Sequence, residues 1–247
     1  MKLDKDLCAG CGACVLYCPV GALSEQDGVV VLDLDKCVEC HVCLRSEVCP
    51  TGALQQDELS WPRVIRSMFS DPFGKHPSTQ HMGRGTEEVK TNDVTNLVTY
   101  GNVGIAIEPG RPGVSASMRD IEKITMVLAK VGVEFAPKTP ITSLMTDKTT
   151  GKLRDDILGE RVLSAIVECV APREKIPEIA KALREVSKEV DTVFSVAMFM
   201  AGGPAGDFPT LDYFRALGFD VSPWGKTNLG LGRVTINQKA RNGGQTR

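Results

Sequence analysis

Residues 8–23 read CAGCGACVLYCPVGAL, and residues 37–54 read CVECHVCLRSEVCPTGAL. Each stretch contains four cysteines, and the rest of the 247-residue chain contains one more, Cys169. Both stretches end in Cys-Pro-x-Gly-Ala-Leu, so the second repeats the first with two extra residues before its last cysteine. A repeat of this kind indicates a cofactor that needs four thiolates in each copy.

The spacing of these cysteines is C-x2-C-x2-C-x3-C-P in the first copy and C-x2-C-x2-C-x5-C-P in the second. Three thiolates at three-residue intervals in a tight loop can contact one iron-sulfur cube, whereas the cysteine before the proline is extended and points to the other copy. The spacing therefore predicts two [4Fe-4S] clusters that exchange ligands. The expected ligands are Cys8, Cys11, Cys14 and Cys49 for the first cluster, and Cys37, Cys40, Cys43 and Cys18 for the second.

Other uses of cysteine fit this pattern less well. Disulfides are typical of secreted chains, but the first residues, MKLDKDLC, lack the apolar segment of a secretory signal. Zinc sites commonly use separated C-x2-C pairs, and a redox dithiol needs a single pair in a βαβ context. No window approaches the roughly 18 uncharged apolar residues of a membrane-spanning helix. We therefore expect a cytoplasmic protein with no membrane partner.

Residues 1–58 resemble a bacterial-type two-cluster ferredoxin in all eight cysteines, both prolines and both Gly-Ala-Leu endings. The resemblance implies a pseudo-symmetric α+β unit that passes single electrons at low potential. Two features differ in the second copy, namely a two-residue insertion in the spacer LRSEV before Cys49 and the presence of His41. The two clusters therefore need not share a potential. His41 is open to two interpretations, a tuning or proton-transfer role beside the cluster or a plain surface position, and we favour the surface position.

Charge is distributed unevenly, although the net charge is only -2. Residues 1–60 contain four Lys or Arg and ten Asp or Glu, whereas the remainder contains 25 and 21. The acidic excess excludes nucleic acid as a partner of the cysteine-rich part and favours a redox protein with a basic patch. After Asp220 the chain is basic, which indicates a solvated or partner-docking tail, or one that lies against the acidic unit.

Composition and periodicity divide the chain into four parts. We predict, in order, a two-cluster ferredoxin unit (1–58), a linker helix with an extended polar arm (59–96), an α+β domain with a C-terminal helix and strand (97–238) and a basic tail (239–247). Ser60 is the expected N-cap of the linker helix. In the α+β domain the predicted order is βαββαβ, typical of a split βαβ, or ferredoxin-like, sandwich with two helices on one face of an antiparallel sheet. Pro137 and Pro140 place its second strand at an edge.

The polar segment from His76 to Asn96 permits several interpretations. A metal site could combine His76 and His81 with Glu87 or Glu88, and an acidic ligand could bind Lys75, Arg84, Gly83 and Gly85. We favour an arm that wraps a partner subunit, because loops of this length are usually functional.

Two further features of the sequence are the turn Gly202–Gly206 and Cys169. Glycines in the turn Gly202–Gly206 precede a predicted helix whose N-H groups could bind a small acidic ligand, although no Lys, Ser or Thr stands at phosphate-loop spacing. Cys169 lies in an apolar strand and is expected to be a core residue.

These patterns favour an electron-transfer subunit of a larger oxidoreductase, because the chain has predicted clusters but no recognisable site for two-electron chemistry on a substrate. A second hypothesis is a redox-linked sensor or accessory protein whose α+β domain binds a small molecule. A third is a stand-alone reductase with His76 or His81 as proton donors.

Overall fold

The computed structural model describes residues 1–80, 82, 95–111, 114–200 and 211–222. Helices and strands are mixed throughout these ranges, which confirms the α+β class. The strands are β1 (Lys2–Leu3), β2 (Leu23–Gln26), β3 (Val29–Leu32), β4 (Leu54–Gln55), β5 (Asn102–Pro109), β6 (Ala116–Ser117), β7 (Glu134–Phe135), β8 (Met145–Asp147), β9 (Lys152–Leu153), β10 (Arg161–Val162), β11 (Val167–Pro172) and β12 (Phe194–Phe199). The α-helices are α1 (Val42–Arg45), α2 (Val64–Ser70), α3 (Met118–Val131), α4 (Pro140–Ser143), α5 (Ile176–Val186) and α6 (Leu211–Ala216). Short 3-10 helices cover Ala13–Tyr17, Asp155–Ile157 and Arg173–Lys175.

The N-terminal unit consists of two small antiparallel sheets and the two cysteine loops. Strand β1 pairs with β4, with Leu3 opposite Leu54, and β2 pairs with β3. The 3-10 helix Ala13–Tyr17 follows the first loop, and α1 follows the equivalent point of the second loop. Leu23, Val30 and Leu54 form a small core together with several of the cysteines.

The second unit is built on a four-stranded antiparallel sheet in the order β12-β5-β11-β7. Helices α3 and α5 contribute their apolar residues to the core of this unit. The Ser117 hydroxyl accepts a hydrogen bond from the Asp120 amide and caps α3, and Gly132, with φ of 81°, ends it. Short pairs of β6 with β10 and of β8 with β9 flank the sheet.

Two element boundaries differ from the sequence expectations. Residues 133–145 form β7 and then α4, because Thr139 caps a new helix by accepting from the Thr142 amide. The linker helix α2 starts at Val64 without a side-chain cap from Ser60.

Helix α2 lies between the two cores. Ile65 and Phe69 pack into the core of the sheet unit. The Ser70 hydroxyl accepts from the Leu163 amide at 2.8 Å, and the Trp61 indole donates to Asp156 at 2.7 Å. The predicted C-terminal helix corresponds to α6, whereas the strand expected beyond it lies outside the described residues. Within the described ranges, no helix is both long enough and apolar enough to cross a bilayer.

Candidate iron-sulfur site

Both cysteine loops turn through left-handed residues at equivalent positions. Gly10 and Gly12 in the first loop have φ of 67° and 68°, and Glu39 and His41 in the second have 55° and 57°. A Cβ atom on Gly10 would lie 2.2 Å from the Gly28 carbonyl oxygen. The first loop therefore requires glycine there for its φ angle and for its close approach to the β2–β3 turn, whereas the second loop accommodates side chains.

One group of thiols joins the first loop to the end of the second stretch. Burial raises the pKa of Cys14, and the neighbouring thiols of Cys49, Cys11 and Cys8 raise it as well. Cys11 is exposed, whereas Cys14 is buried. The last cysteine of the second stretch thus lies near the first three cysteines of the first stretch.

The reciprocal group surrounds a cavity. Burial raises the pKa of Cys43 to about 12, and the neighbouring thiols of Cys40, Cys37 and Cys18 also raise it. These four cysteines line a small cavity that is partly open to solvent. Burial likewise raises the pKa of Cys37 to about 11. Each stretch therefore contributes its last cysteine to the group formed by the other.

Backbone amides donate to the sulfurs of the two exchanged cysteines. The Ala22 amide donates to Cys18 Sγ at 3.1 Å, and the Ala53 amide donates to Cys49 Sγ at 3.3 Å. Although burial opposes the effect, hydrogen bonds from the Thr51 hydroxyl and neighbouring amides lower the pKa of Cys49 to about 7. The two Cys-Pro-x-Gly-Ala segments therefore each place a backbone amide donor on the sulfur of their own cysteine.

The donor set of each group suits a [4Fe-4S] cluster. Each group offers four soft sulfur ligands, and amide donors to sulfur are a recognised means of setting cluster potential. Across the described parts of the chain, no three His, Cys, Asp or Glu side chains converge as a single metal ion would require. A four-iron cube binds each thiolate at a different corner, so its ligands need not converge on one point.

His41 is buried, so the surface position favoured from the sequence is wrong. Its Nδ1 lies 2.7 Å from Asp71 Oδ2, and Arg45 donates to the other oxygen of that carboxylate at 2.9 Å. Its Nε2 is 3.7 Å from Glu39 Oε2 and has no hydrogen-bond partner among the described residues. The imidazole also lines the cavity. The segment after α2 folds over the second loop and removes this side chain from solvent.

Glu39 is fully buried and is neutralised by two cationic groups. Arg63 donates to Glu39 Oε1 from Nε at 3.0 Å and from Nη2 at 2.6 Å, and the amino group of Met1 lies 2.5 Å from Oε2. Burial tends to raise the pKa of this carboxyl, but the hydrogen bonds from Met1 and Arg63 hold it below its usual value. Glu39 is therefore an anion that ties the second loop to the start of α2.

Arg66 joins the second loop to the sheet unit. Its guanidinium donates to the carbonyl oxygens of Leu34, Asp35 and Cys37 at 2.9, 3.1 and 2.7 Å, and to Glu160 at 2.5 Å. The arginine is buried, so these bonds satisfy its charge away from water. The sequence did not indicate this role, because Arg66 is simply one basic residue of the predicted linker helix.

His76, one of the alternative candidates, is packed as a structural residue. Its ring lies edge-on to Phe69 with centroids 5.2 Å apart, and Nδ1 contacts the amide and hydroxyl of Ser78. Burial lowers its pKa. Cys169 is buried in β11 with its pKa raised to about 12 by burial, which confirms its assignment to the core.

Several of the alternative sites lie outside the described residues. These are His81, Gly83, Arg84, Gly85, Glu87, Glu88 and the turn Gly202–Gly206. Of the proposed acidic-ligand site near Lys75, only that exposed lysine lies in a described range, and its backbone pairs with Met82.

Comparison with known proteins places this geometry in a family. A model of the 4Fe-4S binding domain matches residues 1–24. Ferredoxin-1 of Rhodobacter capsulatus is 45% identical over 41 residues, which cover 17% of this chain and 63% of that protein. The ferredoxin of Pyrobaculum islandicum is 32% identical over 90 residues, which cover 36% of this chain and 81% of that protein. This chain belongs to the ferredoxin family.

The ferredoxin relationship concerns the N-terminal part and supports iron-sulfur electron transfer there. The pyruvate synthase subunit PorD of Methanothermobacter marburgensis is 36% identical over 55 residues, which cover 22% of this chain and 62% of that subunit. The chain thus spans about three fifths of the length of ferredoxin-1 and of PorD. The comparisons assign no family to the remainder, and no solved structure matches the chain significantly.

Proposed function

We propose that this ferredoxin-family chain relays single electrons through two [4Fe-4S] clusters as a subunit of a larger oxidoreductase. The observation that carries the proposal is the reciprocal grouping of the thiols, in which each stretch lends its last cysteine to the other. The proposed ligands are Cys8, Cys11, Cys14 and Cys49 for one cluster, and Cys18, Cys37, Cys40 and Cys43 for the other.

The residues around these thiols would prepare them to bind iron. When bound, the clusters supply one-electron redox chemistry. The amides of Ala22 and Ala53 donate to the sulfurs of Cys18 and Cys49 and would do the same for cluster ligands. The apolar core of the unit and the burial of Cys37 and Cys40 limit the access of water to the second group. Hydrogen bonds from Arg66 and Arg45 to loop carbonyls hold that loop in shape before metal arrives.

The subunit role has separate support. PorD, which shares the N-terminal sequence pattern, is named as a subunit of pyruvate synthase. We propose that residues 97–238 form a split βαβ sandwich that attaches the relay to its enzyme, with 59–96 as the linker and 239–247 as a basic tail. The strand order β12-β5-β11-β7, with every neighbouring pair antiparallel, supports this topology.

The test is an iron and sulfide count combined with native mass spectrometry of protein purified anaerobically from its source. Two clusters predict about eight iron atoms and about eight sulfides per chain. A co-purifying catalytic subunit would identify the enzyme that is served. A stoichiometry near four, or a chain that is isolated alone and reduces a substrate by itself, would contradict the proposal.

A further inference from the structure

Given the electron-transfer function proposed above, we propose that the surface around the first cysteine loop is the docking site for a redox protein whose contact surface is apolar and rimmed with Lys and Arg. We name this surface the first-loop face. It consists of the exposed side chains of Leu7, Leu16, Tyr17 and Val29 together with Cys11.

Apolar side chains surround the first loop. Leu16 is 91% exposed and lies with the exposed Tyr17 in the 3-10 helix between Cys14 and Cys18. Leu7 immediately precedes Cys8. Single exposed apolar residues are ordinary, but several around one redox loop are typical of an interaction surface.

Val29 belongs to the same surface because the β2–β3 turn lies against the loop. Gly28 approaches Gly10 so closely that a Cβ atom on Gly10 would lie 2.2 Å from the Gly28 carbonyl oxygen. Val29, the next residue, is 44% exposed. The first-loop face thus extends from the residue before the loop, across the loop, to the start of β3.

The exposure of the thiols differs between the two groups. Cys11 is exposed, whereas Cys37 and Cys40 of the second loop are buried. Transfer between proteins needs two redox centres to approach closely. No thiol of the second group is exposed, so the cluster proposed at the first loop is the more accessible of the two to a partner.

The chain itself covers the second loop. Arg66 bonds to the carbonyl oxygen of Cys37, and Arg45 bonds to that of Cys40 at 2.7 Å. The Arg45 guanidinium in turn lies 5.4 Å from the centre of the Phe73 ring. These contacts cover the backbone of the second loop at Cys37 and Cys40, and the cavity beside it is only partly open to solvent.

The charge around the first-loop face selects the chemistry of the partner. Asp6, Glu25 and Asp27 are exposed beside it, with Lys5 as an exposed cation. The N-terminal 60 residues together contain four basic and ten acidic residues. An apolar centre with an acidic rim is complementary to an apolar patch with a basic rim, and such complementarity speeds encounter.

The test measures electron transfer from the dithionite-reduced chain to oxidised cytochrome c, a basic haem protein that serves as the probe, by anaerobic stopped-flow absorbance. We expect Leu16→Ser to lower the second-order rate constant about tenfold, because a contact of most of a leucine side chain is lost. Val29→Ser and Val193→Ser form a matched pair at 44% and 50% exposure. The first should slow transfer, and the second, on the sheet unit, should not.

The charge contribution is tested with a second matched pair, Glu25→Lys and Glu58→Lys, both exposed in the N-terminal unit. At low salt, Glu25→Lys should slow transfer to cytochrome c about tenfold more than Glu58→Lys does. The difference should vanish near 0.5 M salt. The electrostatic screening length is then roughly 4 Å, so the charges no longer steer the partner.

Failure of docking and failure of the relay are distinguished by two controls, iron content and reduction of the small acceptor methyl viologen. Normal values of both in every variant, with equal transfer rates for Leu16→Ser and Val193→Ser, would reject the first-loop face and leave the relay intact. Low iron in the parent chain would instead reject the relay. If sedimentation showed that Leu16→Ser dissociates a dimer without slowing transfer, the face would be a contact between two copies of this chain, and the proposal would be wrong.

Discussion

His41 occupies in the second cysteine loop the backbone position that Gly12 occupies in the first, with φ of 57° against 68°. Glu39 corresponds to Gly10 in the same way. Left-handed φ angles strain non-glycine residues by roughly 1 kcal/mol or more, so both substitutions need compensation from tertiary contacts. Asp71 supplies it for His41, and Arg63 supplies it for Glu39. The two loops share a backbone path but are held by different interactions.

Replacement of Gly10 by alanine should disrupt the first loop. The new Cβ atom would lie 2.2 Å from backbone at Gly28. Gly21→Ala is the matched control, since Gly21 also has a left-handed φ, 63°, but nothing lies within 4 Å of its added Cβ. We expect the control to cost about 1 kcal/mol of unfolding free energy. Gly10→Ala should cost more and should release about half of the iron. Equal iron content in both variants, measured after anaerobic purification, would contradict the close approach.

Ligand exchange predicts a non-additive pattern in double cysteine variants. Cys49→Ala should lose one cluster, and adding Cys8→Ala should remove no further iron because both belong to the same proposed group. Adding Cys37→Ala to Cys49→Ala should remove nearly all of the iron. Cys169→Ala is the control and should retain the full content, because this thiol is in the core of the sheet unit. If the Cys8 and Cys37 combinations behaved in the opposite way, ligands would not be exchanged.

Removal of the Arg66 guanidinium should destabilise the contact between the two units. Arg66→Met keeps an unbranched apolar stem but leaves Glu160 and three loop carbonyls without their donor. Loss of one partner from a buried ion pair costs about 3–5 kcal/mol. Lys188→Met, which breaks an exposed pair with Glu185, should leave stability almost unchanged because solvent screens that pair. Denaturant unfolding measures both, and a similar small loss for the two variants would show that Arg66 is dispensable.

Asp120 should make the start of α3 sensitive to acid. Burial tends to raise its pKa, but hydrogen bonds from Ser117 and Lys123 hold the pKa below its ordinary value of 3.8. A lowered pKa in the folded state means that the stabilisation is complete above about pH 4 and is lost as pH falls through the folded value. Asp120→Asn should therefore cost about 1 kcal/mol at pH 6 and less at pH 3.

Hydrogen exchange of the α3 amides, compared between parent and variant at each pH, measures the effect of this substitution. The comparison at equal pH removes the intrinsic dependence of exchange on acidity. A difference between parent and variant that stayed constant from pH 6 to pH 3 would contradict the role of the Asp120 carboxylate.

The local pattern of the sequence was sufficient for several features. Cysteine spacing predicted that the last cysteine of each stretch lies near the first three of the other, and it carried the resemblance to a ferredoxin, because loop geometry depends on neighbours only a few residues away. Met118, Ile121, Ile124 and Leu128 recur at helical spacing, and the structure buries them on one face of α3. The edge position of the second strand followed from the prolines near it, although Thr139 and Pro140 started a helix instead of extending that strand.

Only the tertiary structure decided the burial of His41 and the contacts of Arg66. Asp71 is 30 residues from His41 in sequence, and Glu160 is 94 residues from Arg66. No periodic pattern links positions so far apart, because they meet only after α2 packs on the sheet unit and the following segment folds over the second loop. By itself, the sequence determined which cysteines form each loop, through spacing that acts within a few residues. Packing between distant segments decided which loop is sheltered and which is exposed, since burial depends on the whole chain.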